Sequence, residues 1–390
     1  MPAPTSRRPR IGVDFHTFDG KFQGSRSHLL GLYREAIGLA PDIDFHFLLA
    51  EPERLLREEP AFRAPNVRMV AMPHRPALWR LGVQLAQMQR QLGLDLLHVQ
   101  YRLPFVPMGP CACTIHDILF ETHPEHFPSR MRRFLSWTGR RAVQSAALLY
   151  SVSEYSRGSI AQQYGVSPDR IEVTANGVDA VRFRPGRDGA ALVSALGLTP
   201  GDYVCTVGRI EPRKNHLGLL EAYALMPQPR PPLVIIGQRD PDYDVQAIFD
   251  AVRRLGLDDD VRFLEQVTDT QLPALLRHAK LFVYPSLAEG FGMPVLEAMA
   301  SGVAVVTSNT TSLPEVAGNA GLTVNPRDPH ELAAAMLCLL ADPARRAALV
   351  QRGFEQVARY HWRASAEVLV ESFRRQLRGQ GQVAPAALAV

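Results

Sequence analysis

Glu289 and Glu297 are separated by seven residues in the stretch EGFGMPVLE, and two glycines, Gly290 and Gly292, and a proline, Pro294, lie between them. Glycines let a backbone come close to a ligand, and the free amides of a helix start, at the positive end of its dipole, attract an anion. Carboxylates beside an anion would repel it, so the partners that suit Glu289 and Glu297 are hydroxyl groups. Phosphate together with several hydroxyls is the chemistry of a nucleotide sugar. The plainer alternative is a pair of acids complementing a helix dipole, and this stretch alone leaves both open. A second group lies in GRIEPRKN, where Arg209 offers a planar fork of donors and Lys214 a point charge, suited to two neighbouring phosphates. A third is His116, followed by Asp117.

The elements around these residues are short β-branched and aromatic runs alternating with helical patterns. Leu281-Phe282-Val283-Tyr284-Pro285 precedes the glycine loop and Val303-Ala304-Val305-Val306-Thr307 follows the helix, a strand-loop-helix-strand crossover. Pro294 suits a first helical turn and Gly302 the position just past the helix end, which starts the helix near Met293. The strands predicted at 10–15, 45–49, 67–70, 96–99, 111–115, 147–152 and 171–174 make a parallel sheet with helices on both faces. His116 follows the 111–115 strand at the carboxyl edge, where ligands of such sheets bind. Gly24 and Ser25 open a helix after the first strand. A second set of strands begins at Tyr203, delivers Arg209 and Lys214 to a helix start, and continues at 233–236 and 261–267. A Pro- and Gly-rich stretch from 185 to 201 marks a linker. The expected domains are 1–185, joined by a final helix at 362–378, and 186–361, with a disordered tail at 379–390.

A Glu, seven residues and a second Glu in the form EGFGMPVLEAMASG resemble the donor-site motif of the family-four retaining glycosyltransferases, and the GRIEPRKN, HD and NGVD segments are similar to further motifs of that family. The resemblance implies a GT-B fold: two Rossmann-like domains facing each other across a cleft, with the last helix crossing back to the first. It places Arg209 and Lys214 on the donor diphosphate, His116 against the donor sugar, and Gly24 at the diphosphate from the first domain. Donor contacts carry over to Gly290, Phe291, Gly292, Met293, Leu296 and the two glutamates, and Val267 is a candidate for base contact. The implied reaction is hexose transfer from a nucleotide diphosphate sugar to a hydroxyl, with Arg209, Lys214, His116 and Glu289 as the catalytic set and no separate cofactor or metal. The segment HDILFETHPEHF resembles the mannosyl- and rhamnosyltransferase branch, which points to GDP-mannose as donor, against UDP-glucose as the alternative. A nucleotide-sugar epimerase and a catalytically silent nucleotide-sugar-binding protein share this fold and stay open.

The helix pattern FPSRMRRFLSWTGRRA mixes Arg130, Arg132 and Arg133 with Phe134 and Trp137. Such a segment suits an anionic membrane surface, or is a surface helix with its aromatics in the core. The resemblance favours the first, with a polyprenol-linked or glycan acceptor in cell-surface polysaccharide synthesis at the cytoplasmic face of the inner membrane. Composition agrees with a globular chain: 390 residues, 46% hydrophobic and 21% charged, with no apolar run of the roughly 18–20 residues that span a bilayer. Arg7, Arg8 and Arg10 are followed by no apolar stretch of signal-peptide type, so a cytoplasmic location is expected. Four cysteines without a C-x-x-C pair read as reduced fillers, and a net charge of +4 gives no sign of nucleic-acid binding.

Overall fold

The computed structural model describes residues 7–19, 24–241 and 243–380. The chain forms two compact units, one from the start of the chain to Asn176 together with everything from Trp362, the other Gly177–His361. The change therefore falls after Asn176 rather than after 185. The reason is local: residues 177–201 are tied to the second unit. Val178 donates its amide to Tyr360 at 3.3 Å, and Arg277 donates to the carbonyls of Arg184 and Arg182 and pairs with Asp188. The Pro- and Gly-rich stretch is thus packed chain rather than a free linker, and its composition reflects turns.

The first unit holds seven parallel strands, β1 Arg10–Asp14, β2 Asp44–Leu49, β3 Val67–Ala71, β4 Leu96–Gln100, β5 Cys111–Ile115, β6 Leu148–Ser151 and β7 Ile171–Val173, in the order β3-β2-β1-β4-β5-β6-β7. β4 and β5 are buried at every position, as strands covered on both faces must be. The direction of strand addition reverses between β1 and β4, and the carboxyl ends beside that switch carry Asp14, Gln100 and His116. The final helix, Trp362–Gln380, belongs to this unit and packs on the helix Gly24–Leu39. Gly31 makes the contact possible, since a Cβ there would lie 2.1 Å from the Trp362 ring. Ser365 donates to the Ala175 carbonyl at 2.7 Å, and Arg374 pairs with Asp42 at 2.6 Å. Of the expected tail at 379–390, the helix includes the first two residues, and positions 381–390 lie outside the described residues.

The second unit has six parallel strands, β8 Val204–Val207, β9 Leu233–Ile236, β10 Val261–Leu264, β11 Leu281–Tyr284, β12 Val305–Ser308 and β13 Gly321–Val324, ordered β10-β9-β8-β11-β12-β13. β10 ends at Leu264, three residues short of the expected 267, and Arg262 is already exposed. Here the switch lies between β8 and β11. β11, the loop after it, the helix Met293–Ala300 and β12 form the predicted crossover, with Pro294 in the first turn and Gly302 at φ 79° just past the end. Both units are therefore Rossmann-like, each with its functional edge at one switch point.

Candidate active site

The candidate residues divide between the two units. In the second, Arg209, Lys214, Val267 and 289–297 share one sheet edge; in the first, Gly24, His116 and the 130–137 helix segment lie on the other.

Glu289 follows β11 and is nearly buried. Its Oε1 accepts from Lys214 Nζ at 2.6 Å and from the Tyr284 hydroxyl at 2.9 Å, and its Oε2 lies 2.8 Å from Arg213 Nη1. Burial alone would raise the carboxyl, but Arg213 and Lys214 outweigh it and hold the carboxyl at about 2. Glu289 is thus ionised at neutral pH. Burial draws the Lys214 ammonium below the ordinary lysine value, although Glu289 opposes this. Arg213 and Tyr284 were not among the sequence candidates. Arg213 also donates to Glu211 Oε1 and the Ala288 carbonyl, each at 2.7 Å, which fixes the loop that carries Glu289. The signal available for Arg213 was the density of cations in one turn, Arg209, Arg213 and Lys214; its partner lies 76 residues away and only the fold supplies it.

The loop itself is fastened from behind. Thr311 accepts the Glu289 amide at 3.0 Å, and the Ser312 hydroxyl shares its proton between the carbonyls of Glu289 and Phe291, both at 2.9 Å. Gly292 caps the helix at φ 104°, and a Cβ there would meet Leu313 Cδ2 at 2.5 Å, so both conformation and room demand glycine. The amides of Phe291, Gly292 and Met293 meet no acceptor among the described residues. They form the amide cluster of a helix start, ready for an anion. Phe291 and Leu296 are buried, Phe291 edge-on to Tyr360 at 5.6 Å, so they shape the loop.

Glu297 lies about one turn into that helix and has no hydrogen bond or ion pair to its carboxylate among the described residues. Burial pushes its carboxyl up to about 7, with Arg182 pulling it down and Asp269 pushing it up. The two glutamates of the motif are therefore unlike: one clamped and ionised, the other half-buried and poised near neutrality. Val267 lines a recess of about 480 Å³ after β10, with Gln266 and Gln271. Arg209 points elsewhere than Lys214. Its Nη1 pairs at 2.9 Å with Asp240, which is buried. Asp240 was not a sequence candidate. Asp260, from the acidic triplet 258–260, pairs with Arg230 at 2.8 Å, and Asp244 accepts the Gln246 amide at 3.0 Å ahead of a helix. Asp242, two residues before Asp244, lies outside the described residues.

In the first unit His116 is buried past the end of β5. Its Nε2 contacts Gln100 Oε1 at 2.5 Å and its ring packs against Tyr101 at 5.1 Å and His28 at 4.9 Å. With an amide oxygen facing Nε2, that nitrogen carries the proton and Nδ1 is the acceptor. Burial, helped by His28 and His98, keeps the imidazole well below its ordinary value, so it stays neutral. His28 is also buried, with Nδ1 2.8 Å from Asn176 Oδ1 and Nε2 without a partner. Gly24 is the first residue of its helix, with open space where a Cβ would go; the loop before it, 20–23, lies outside the described residues. Ser153 caps the helix Glu154–Tyr164 through the Ser156 amide, a structural role.

Arg130, Arg132, Arg133, Phe134 and Trp137 all lie on the helix Ser129–Ser145. The helix buries Thr138, Gly139, Ala142 and Val143, and Trp137 is 56% exposed. Its tryptophan is therefore not a core residue. No helix of the described residues is long and apolar enough to cross a membrane.

Residues 23–182 match the family model of Glycosyltransferase Family 4, and 196–356 that of Glycosyl transferases group 1. The O-antigen chain mannosyltransferase B of Escherichia coli is 36% identical over 266 residues, covering 67% of this chain and 69% of that protein. The chain belongs to the family-four glycosyltransferases. The D-inositol 3-phosphate glycosyltransferase of Segniliparus rotundus is 34% identical over 287 residues, 72% of this chain and 63% of that relative. The alignment thus spans about two thirds of the length of these two proteins. The crystal structure of Anabaena HepE in complex with UDP and glucose superposes with a TM-score of 0.75 at 22% identity, over 94% of this chain and 100% of that one. This likeness is one of fold, and it identifies the two Rossmann-like units of the glycosyltransferase as GT-B domains.

Proposed function

We propose that this glycosyltransferase moves mannose from GDP-mannose to a hydroxyl of a glycan or polyprenol-linked glycan, with retention at the anomeric carbon, in the assembly of a cell-surface polysaccharide. The observation that carries this reading is the clamp on Glu289: a carboxylate held ionised by Lys214 and Arg213, beside three unpaired amides at a helix start. Cations and amides suit a diphosphate, and the carboxylate suits sugar hydroxyls. The mannosyltransferase relative supports the choice of sugar.

In the reaction, the bond between the anomeric carbon and the leaving phosphate oxygen breaks as the acceptor oxygen bonds that carbon on the same face. The acceptor proton passes to the leaving phosphate oxygen, and GDP departs. Lys214, Arg209 and the amides of 291–293 neutralise charge that grows on the diphosphate, the two cations turning part of their donors to it from Glu289 and Asp240. Glu289 orients the sugar, Glu297 accepts from ribose hydroxyls, and neutral His116 offers Nδ1 to a sugar hydroxyl. The exposed Trp137 with Arg130, Arg132 and Arg133 supports peripheral contact with an anionic membrane, in the cytoplasm, where nucleotide sugars are used.

The test is thermal-shift binding of GDP-mannose, UDP-glucose, ADP-glucose and dTDP-glucose, with and without magnesium, on the wild type and Glu297→Ala. A metal-independent shift selective for GDP-mannose and lost in the variant is expected. A shift selective for UDP-glucose would overturn the donor.

A further inference from the structure

Arg102 lies two residues past the end of β4, at the switch-point edge of the first unit. Its guanidinium is half-buried, 5.3 Å over the Phe134 ring, and its Nε is buried without an acceptor. Among the described residues no carboxylate pairs with it. The neighbouring cation, Arg80, is already committed to the buried Asp14, so that carboxylate does not serve Arg102 as a counter-charge. Burial and Arg80 both weaken its protonated form. A desolvated cation without a counter-charge is costly, and an anionic ligand would relieve it.

Two surroundings narrow the ligand. On one side Tyr101, held at φ 63°, where bulky residues are rare, packs its ring against His116. Arg102 is therefore next in sequence to the residue that lines His116. On the other side the surface is apolar. Phe105 contacts Trp137 at 5.6 Å, Val106 is 58% exposed, and Arg141 fastens this loop to the Ser129–Ser145 helix through the carbonyls of Pro104 and Phe105 at 2.8 and 2.5 Å. No carboxylate occurs in the sequence between Glu125 and Glu154 to repel an anion along that helix.

We propose that Arg102 reads the phosphate of an amphiphilic ligand whose aliphatic chain lies over Phe105, Val106 and Trp137. This rests on the reading of a lipid-linked acceptor and names the residue that would recognise its phosphate. The guanidinium supplies paired donors to phosphate oxygens, and the aromatic rim supplies the apolar contact.

The probe is n-hexyl phosphate, titrated calorimetrically into the full chain beside inorganic phosphate and n-hexanol, with GDP-mannose binding measured on the same samples. Hexyl phosphate should bind at least tenfold more tightly than either control. Arg102→Met should lose that binding tenfold or more, Arg102→Lys should recover part of it, and both should bind GDP-mannose as the wild type does. Unchanged binding of hexyl phosphate by Arg102→Met overturns the proposal. Equal affinity for inorganic phosphate overturns the amphiphile and leaves a free-phosphate site. Arg102-dependent binding of hexyl phosphate in a protein that binds no GDP-mannose supports this site and refutes the donor instead.

Discussion

Replacing Glu289 with Gln keeps the shape of the side chain and removes its charge, leaving Lys214 and Arg213 without their counter-ion. Breaking a buried pair from one side costs roughly 3–5 kcal/mol. Arg213 retains Glu211 and the Ala288 carbonyl, which favours the lower end. A second route gives the same size. The carboxyl falls from 4.5 to about 2 on folding, a gap worth about 3 kcal/mol. At roughly 2–4 °C per kcal/mol for a domain of this size, the melting midpoint of the second unit should fall by about 6–12 °C at pH 7. The pH dependence has a definite sign. Because the folded value lies below the unfolded one, the stabilisation is complete above about pH 4.5 and is lost as pH falls through about 2. Thermal unfolding followed by circular dichroism at pH 7 and pH 3 should therefore show a large gap between wild type and Glu289→Gln at pH 7 and a smaller one at pH 3. A variant that melts within 2 °C of wild type at pH 7, or a gap indifferent to pH, would refute the clamp.

Glu297 should behave in the opposite sense. Its folded value of about 7 lies above the unfolded 4.5, so its ionisation costs stability as pH rises between the two. Glu297→Gln should melt higher than wild type at pH 8 and alike at pH 4, and calorimetry should show donor affinity rising from pH 6 to pH 8 only in the wild type. Gly292→Ala forces a side chain into φ 104° and against Leu313, so a loss of about 1–3 kcal/mol in urea unfolding is expected, with donor binding lost too. Arg209→Ala strips the counter-charge from buried Asp240 and should lower kcat by roughly 100- to 1000-fold. Adding Asp240→Asn should restore the melting midpoint and not the turnover, whereas recovery of both would show that Arg209 is only structural.

The fold was legible where chain chemistry is local. The β11-to-β12 crossover announces itself through Pro294 and Gly302, because one cannot sit inside a helix and the other can leave it at positive φ. β5 and β9 match their predicted limits, since fully buried strands read as unbroken apolar runs. The domain change was misplaced because proline and glycine mark turns as well as linkers, and only Val178 with Tyr360 and Arg277 with Asp188 show which unit the stretch joins. In the site, residue types pointed to Lys214 and Glu289 and not to who holds whom. That Arg213 clamps Glu289 while Arg209 turns to Asp240 depends on side-chain directions at neighbouring positions of one turn. Sequence spacing does not carry that information.

The clamp also bears on how the site meets its charge. Without donor, Glu289 neutralises Lys214 and Arg213, so two cations can wait in a nearly buried loop without repelling each other into solvent. An arriving diphosphate would share them, which frees lone pairs of Glu289 for hydroxyls just when hydroxyls arrive. On the proposed donor site, the same carboxylate would serve folding in the empty protein and recognition in the loaded one. Loss of donor binding and loss of stability in Glu289→Gln should accordingly come together, whereas Glu297→Gln, which has no ion pair to lose, should separate them.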